Sequence, residues 1–240
     1  MAISTKDVKG GTGLPKLIEP GVQELKINAV KLQRFPFMEA SQGYYFILEV
    51  ESKPLDNFEG FFIDSTDESK GRYAGQIGSV KTSQFYYKDG VTKSGTEVSR
   101  DMEILRQIRA ICTACNCLAW FEKADGAYET IEEFVDAFDK AKPFKNVFLR
   151  FCIAGKEYDK KNNFVGFDLH LPKYVKGKVT FESLAVKVSK IIPFDPATHI
   201  IPKTEDTVGS FESESSDISS DIPEDPFNND MDPANKDFEL

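Results

Sequence analysis

Few of the side chains that do chemistry or cross-link a fold occur in this sequence. Its four cysteines have irregular spacing and make no disulfide framework. It has two histidines, His170 and His199, both beside apolar strand residues, and no Ser, Cys or Lys stands in a recognisable nucleophile setting. A catalytic role is therefore not expected, and neither is a cofactor. There is no apolar run near eighteen residues and no basic-then-apolar leader, so no membrane association is expected and a soluble cytoplasmic protein is. Net negative charge is also missing from most of the chain, because residues 1–203 hold 29 basic and 27 acidic side chains.

All of the negative charge is at the end. Thr204 to Leu240 contains twelve acidic residues against Lys236 alone, a segment charge of −11. A slightly basic body with a tethered polyanion suggests that the body's cations serve an anionic ligand. Nucleic-acid phosphate is the leading one, since a flexible acidic strand imitates it. The segment's serines, prolines and carboxylates cannot bury enough apolar surface to offset ordering, so 204–240 is expected to be a disordered acidic tail. Phe211, Ile218, Ile222, Phe227, Phe238 and Leu240 punctuate it. Rings among acids suit a short docking motif better than a purely solubilising tail.

At 240 residues the chain has room for one sizeable domain or two small ones. Residues 1–20 read as a flexible N-terminal arm, with Lys9-Gly10-Gly11-Thr12-Gly13 between isolated prolines. No strand precedes these glycines and no Gly-Lys-Ser/Thr follows, which excludes a phosphate loop. From Val22 the apolar period is two: Leu25 and Ile27 share a face, then Val30 and Leu32, with a slip near Ala29 that predicts a β-bulge. Phe46, Leu48 and Val50 mark a second strand, Phe58–Ile63 a third apolar run, and Tyr73–Tyr87 an extended stretch with bends at Gly75 and Gly78. Ile104 to Leu118 carries a helical stripe. Thr130-Ile131-Glu132-Glu133 is a capping box opening a second helix on Ile131, Phe134, Val135 and Phe138. Strands return at Val147–Ala154 and Phe164–Leu171, joined through a polar tip, Gly155–Asn163, with one or two more over Val179–Ile192.

Strands, a helical insertion near 99–142 and then a hairpin predict a mainly β domain over 21–203. The order fits an oligonucleotide-binding (OB), partly open barrel; the rival is an α+β open antiparallel sheet. In such a barrel the ligand crosses strands two and three between two loops, here Gln33–Gly43 and Gly155–Asn163. The first brings Lys31, Arg34, Phe35 and Phe37. The second brings Lys156, Tyr158, Lys160 and Lys161. Between them Arg72, Tyr73, Lys81, Phe85, Tyr86, Tyr87, Lys88 and Lys93 interleave rings with cations, and Arg150 joins the set from the strand before the tip. Cations track phosphates, and each stacked base gains about 1–3 kcal/mol whatever its identity. The plainer reading is that most of these rings fill the core and most lysines are solvated surface.

Cys112-x-x-Cys115-x-Cys117 invites a zinc reading. On a continuous helix Cys115 and Cys117 point about 200° apart, so three thiolates cannot converge unless the helix breaks near Cys115. Buried, apolar-like thiols are expected instead. Asp64-Ser65-Thr66-Asp67-Glu68 lacks the glycine and spacing of a calcium loop and reads as a solvated turn.

The strand order, the aromatic and basic loops and the acidic end Asp237-Phe238-Glu239-Leu240 resemble single-stranded-DNA-binding proteins of replication. Asp221-Ile222-Pro223-Glu224-Asp225-Pro226-Phe227 is similar in composition to the tips of bacterial members. Asn57-Phe58-Glu59-Gly60-Phe61-Phe62-Ile63-Asp64 and Phe151-Cys152-Ile153-Ala154-Gly155-Lys156-Glu157-Tyr158 resemble single-strand binders of crAss-like tailed phages, a similarity spanning Leu17–Lys203. The bacterial tip ends in Phe itself, whereas Glu239 and Leu240 follow here. The resemblance implies sequence-independent binding of single-stranded DNA in phage replication or recombination, in the cytoplasm of the bacterial host. It also implies that Phe238 with its acidic neighbours Asp237 and Glu239 docks a polymerase, primase or helicase, and that the tail competes with DNA for the groove. Phe227 and Leu240 are expected to join the docking motif as apolar residues among acids. A homo-oligomer is compatible with all of this. On the residues alone, an assembly protein with a solubilising tail and a nucleic-acid enzyme with an unrecognised metal site stay open.

Overall fold

A computed structural model describes residues 17–34, 43–54, 61–62, 72–73, 75–91, 95–159 and 165–203. In chain order these form β1 (Gly21–Gln33), β2 (Tyr45–Ser52), β3 (Phe61–Phe62), β4 (Arg72–Tyr73), β5 (Ile77–Lys81), β6 (Gly90–Val91) and β7 (Glu97–Val98). There follow α1 (Arg100–Ala114), α2 (Leu118–Lys123), α3 (Ile131–Ala141), β8 (Phe148–Asp159), β9 (Val165–His170), β10 (Phe181–Ser183), α4 (Pro196–His199) and β11 (Ile200–Ile201). The result is mainly β, with one mixed sheet and three helices inserted between β7 and β8.

Period-two alternation sets the sheet's inner face. Leu25, Ile27 and Val30 of β1, Phe46, Leu48 and Val50 of β2, Val80 of β5 and Leu149, Phe151 and Ile153 of β8 are all buried. β1 pairs antiparallel with both β2 and β8, β2 with β5, and β8 with β9. The path β1-β2-β5-β9-β8 thus leads back to β1. It is not closed into a regular barrel, because β5 and β9 meet through one parallel pair, Lys81 and His170. That join also departs from a purely antiparallel open sheet. β10 and β11 attach to β8, while β3–β4 and β6–β7 form separate two-stranded ribbons. The expected third strand is therefore β5, not the apolar run around Phe61.

Gly43 is required where the chain enters β2. Its φ is +107°, and a Cβ there would lie 1.8 Å from the carbonyl oxygen of Tyr87. This close approach lets Tyr44 and Tyr87 exchange backbone hydrogen bonds of 3.0 and 2.7 Å.

The register of β1 shifts between Ile27 and Ala29, the bulge that the pattern predicts. A bulge frees backbone groups from the ladder, and α3 takes up two of them. Val30 N–H donates to Asp139 Oδ1 at 2.8 Å, and Lys142 Nζ donates to the Asn28 carbonyl at 2.7 Å. Lys142 is the left-handed C-cap of α3, with φ +44°. One distortion in the sheet is thereby matched to one helix end. Asp139→Ala should cost about 1–3 kcal/mol, the penalty for an unsatisfied, partly buried N–H. Urea unfolding checks it: the midpoint should fall with an unchanged m-value.

The helical stripe is shorter than predicted. α1 stops at Ala114 because Asn116 turns left-handed, at φ +55°. Cys117 N–H then reaches back to the Cys112 carbonyl at 2.8 Å and Asn116 N–H to that of Thr113 at 3.2 Å. These two bonds make a Schellman end. At α3, Thr130 Oγ1 accepts from Glu133 N–H at 3.2 Å as expected. The Glu133 carboxylate instead accepts from Glu129 N–H, one residue earlier than in a regular capping box. The polar tip is shorter too. β8 runs on through Asp159, so Gly155, Lys156, Glu157 and Tyr158 are strand residues.

Among the described residues no helix is long and apolar enough to cross a membrane. The tail 204–240, residues 1–16 of the arm and the Asp64–Glu68 cluster lie outside the described residues.

Candidate nucleic-acid interface

Alternation that sends Phe46, Leu48 and Val50 to one face of β2 sends Tyr45, Ile47 and Glu49 to the other, where Tyr45 and Glu49 are half-buried and Ile47 is covered by its neighbours. Across the ladders Ile47 lies opposite Lys31 on one side and Lys81 on the other, a row over three strands. On this face Lys81 Nζ sits 4.6 Å from the centre of the Tyr45 ring and 2.6 Å from Asp168 Oδ2. Tyr86 meets Tyr45 edge-on at 6.0 Å, and Lys88 Nζ lies 5.9 Å from the Tyr86 ring. Phe85, in the bends after β5, is 53 % exposed. Partial burial raises the pKa of the Tyr45 hydroxyl, with further increments from Asp168 and Tyr86, so it stays protonated and a hydrogen-bond donor.

Lys156 is opposite Asp168 in the β8–β9 register, which puts both on one face. Asp168 therefore stands between two strands that each present a lysine. Lys31 is held 2.6 Å from Glu49 Oε1. The face carries cations and rings together, but two of its lysines are in ion pairs. Such a surface suits a flat, charged, flexible ligand: rings for bases, ammonium groups for phosphates.

The other predicted residues divide three ways. Arg34 is exposed but folds back on Tyr44. Its guanidinium stacks 4.1 Å from the ring of buried Tyr44, while Arg100 lies 5.2 Å from the same ring. Tyr44 Oη donates to Glu132 Oε1 and accepts from Arg34 Nη2, tying the end of β1 to the start of α3. That hydrogen bond from Tyr44 is the main reason the Glu132 pKa is lowered. Arg150 braces β8 to β10 through buried Glu182, 3.0 Å away. Burial alone would raise the Glu182 pKa, but hydrogen bonds from Ser189 Oγ (2.5 Å), Lys190 N–H (2.8 Å) and Arg150 hold it down. The Tyr87 ring packs on the core, its hydroxyl 2.9 Å from Thr82 Oγ1, and burial pushes its pKa far up. As placed, these three side chains make contacts within the fold.

Lys156 and Tyr158 are exposed on β8, and Arg72 and Tyr73 form β4, apart from the main sheet. Phe35, Phe37, Lys93, Lys160, Lys161, Phe227, Asp237, Phe238, Glu239 and Leu240 lie outside the described residues. Sequence reasoning missed Tyr45, Glu49 and Asp168. Tyr45 and Glu49 were open to discovery, since the same alternation that buries Phe46 turns them outward.

The cysteines are thiols. α1 does break at Cys115, and Cys117 comes back to Cys112 as the apolar contact of the Schellman end. Burial raises all of their pKa values, that of Cys115 to about 12 and that of Cys152 to about 11. Among the described residues no three His, Cys, Asp or Glu side chains are grouped to hold a metal. His170 is buried at the β5–β9 join, where desolvation lowers its pKa and favours the neutral ring.

No protein-family model, no curated protein and no solved structure matches the chain.

Proposed function

We propose that this protein binds single-stranded DNA without base preference, across the outer face of β2 and β5. The observation that carries the reading is the cluster Tyr45–Lys81–Tyr86–Lys88, two rings and two ammonium groups brought together by β2, β5 and the segment that follows β5. The strand order supports it. On an oligonucleotide-binding reading, β1, β2, β5, β8 and β9 are the five strands and α1–α3 the insertion between the third and fourth. The parallel β5–β9 contact is the closing join. Ligands of such barrels cross strands two and three, where this cluster lies.

In this proposal the acidic tail recruits a polymerase, primase or helicase and occupies the face when DNA is absent. The setting is phage replication or recombination in the host cytoplasm. The test is fluorescence anisotropy of labelled oligo-dT with the full chain over a range of salt. Binding should weaken with log affinity falling by about 0.7 per phosphate neutralised against log salt. Absence of binding at low salt would overturn the reading and favour an assembly protein with a solubilising tail.

A further inference from the structure

The proposed face is built from ion pairs as well as from cations. Lys81 reaches Asp168 across the β5–β9 join and Lys31 reaches Glu49 across the β1–β2 ladder, both at 2.6 Å. These are different strands, yet each lysine of the row through Ile47 has a carboxylate on the same surface. The Lys81 side chain is 16 % exposed and its partner Asp168 50 %. The ammonium group is thus tucked over Tyr45, while the carboxylate stands further into solvent. Of the two groups Asp168 is the more open to a ligand arriving from solvent.

We propose that Asp168 is an affinity-setting residue: a phosphate must displace it from Lys81, so the strand binds by exchange of ion partners. This rests on the single-strand reading above and adds to it a mechanism and a thermodynamic signature. A free lysine that takes a phosphate releases the counterion condensed on the nucleic acid, which gives binding its salt dependence. A lysine already paired behaves differently. When phosphate replaces the carboxylate, the freed Asp168 attracts a cation of its own. One counterion leaves the nucleic acid and another is taken up by the protein. The exchanged lysine therefore contributes to contact geometry but almost nothing to the salt slope. Glu49 acts in the same way on Lys31. The consequence is a strand held weakly enough to be handed on, with a salt dependence shallower than the number of lysines on the face implies.

The experiment compares the full-length protein with Asp168→Asn and, separately, Glu49→Gln, in oligo-dT anisotropy titrations at several salt concentrations. Asp168 is exposed and Glu49 half-buried, both amides are close in shape to the acids they replace, and thermal melts check that each variant is folded. Asp168→Asn should tighten binding about fivefold at low salt, the worth of one unit-charge repulsion near 4 Å in water. It should also steepen the slope of log affinity against log salt by about 0.7, one additional counterion equivalent for a single strand. Glu49→Gln should move both quantities the same way. A merely structural carboxylate would change affinity without changing the slope. Wild-type binding with the slope unchanged in both variants overturns this proposal and leaves the single-strand reading intact. No binding by any of the three proteins overturns both.

Discussion

Phe138→Ala should remove about 3–5 kcal/mol of folding free energy, the range for truncating a buried aromatic ring. A domain of this size has roughly 5–15 kcal/mol in total, so the variant should be close to unfolding at moderate temperature. The ring is fully buried in α3 and stands between two other rings, with Trp120 and Phe144 each 5.0 Å away centre to centre. Phe134, one turn earlier, receives Trp120, Phe121 and Tyr128 edge-on at 5.5–5.8 Å. Truncation would leave a void bounded by rigid rings, which collapse poorly into it. The next residue is Asp139, the partner of Val30, so loosening α3 also weakens its hold on the β1 bulge. Guanidinium unfolding checks the expectation. The midpoint should fall sharply, and Phe138→Leu, which refills part of the volume, should recover a good share of it. A loss under about 1 kcal/mol would mean that this cluster is less tightly packed than described.

That same cluster shows how far the sequence could be read. The stripe Ile131, Phe134, Val135, Phe138 and the cap at Thr130 are local signals, and they locate α3 to within a residue. The slip near Ala29 is local as well and marks the bulge. Strand faces were legible wherever one side is buried, because alternation records it. The end of α1 was not legible, since Cys115 and Leu118 continue the apolar stripe and only the left-handed Asn116 stops the helix. Site residues fared worse for a physical reason: a cation's role is decided by its partner, and partners are remote in sequence. Arg150 finds Glu182, Lys81 finds Asp168 and Arg34 finds Glu132. Tyr86 and Tyr87 are adjacent, yet the turn after β5 gives one to the surface cluster and the other to Thr82 and the core. No period separates them.

That division supplies the sharpest test of the proposed face. Tyr45→Ala with Tyr86→Ala should weaken oligo-dT binding at least about 30-fold, since each stacking ring is worth about 1–3 kcal/mol. Stacking is not ionic, so the salt slope should stay where it was while affinity falls. This separates loss of rings from loss of cations. Tyr45→Phe with Tyr86→Phe keeps the ring faces and should bind within about threefold of wild type if stacking rather than hydroxyl donation holds the bases. Tyr87→Phe is the internal control. It removes the Thr82 hydrogen bond and should lower stability by about 0.5–1.5 kcal/mol, with affinity unchanged. If instead Tyr87→Phe impairs binding while the double alanine variant binds normally, the strand does not cross β2 and β5. The cluster Tyr45–Lys81–Tyr86–Lys88 would then be a packing feature of the sheet, and the search for a ligand would move to Lys156 and Tyr158 on β8.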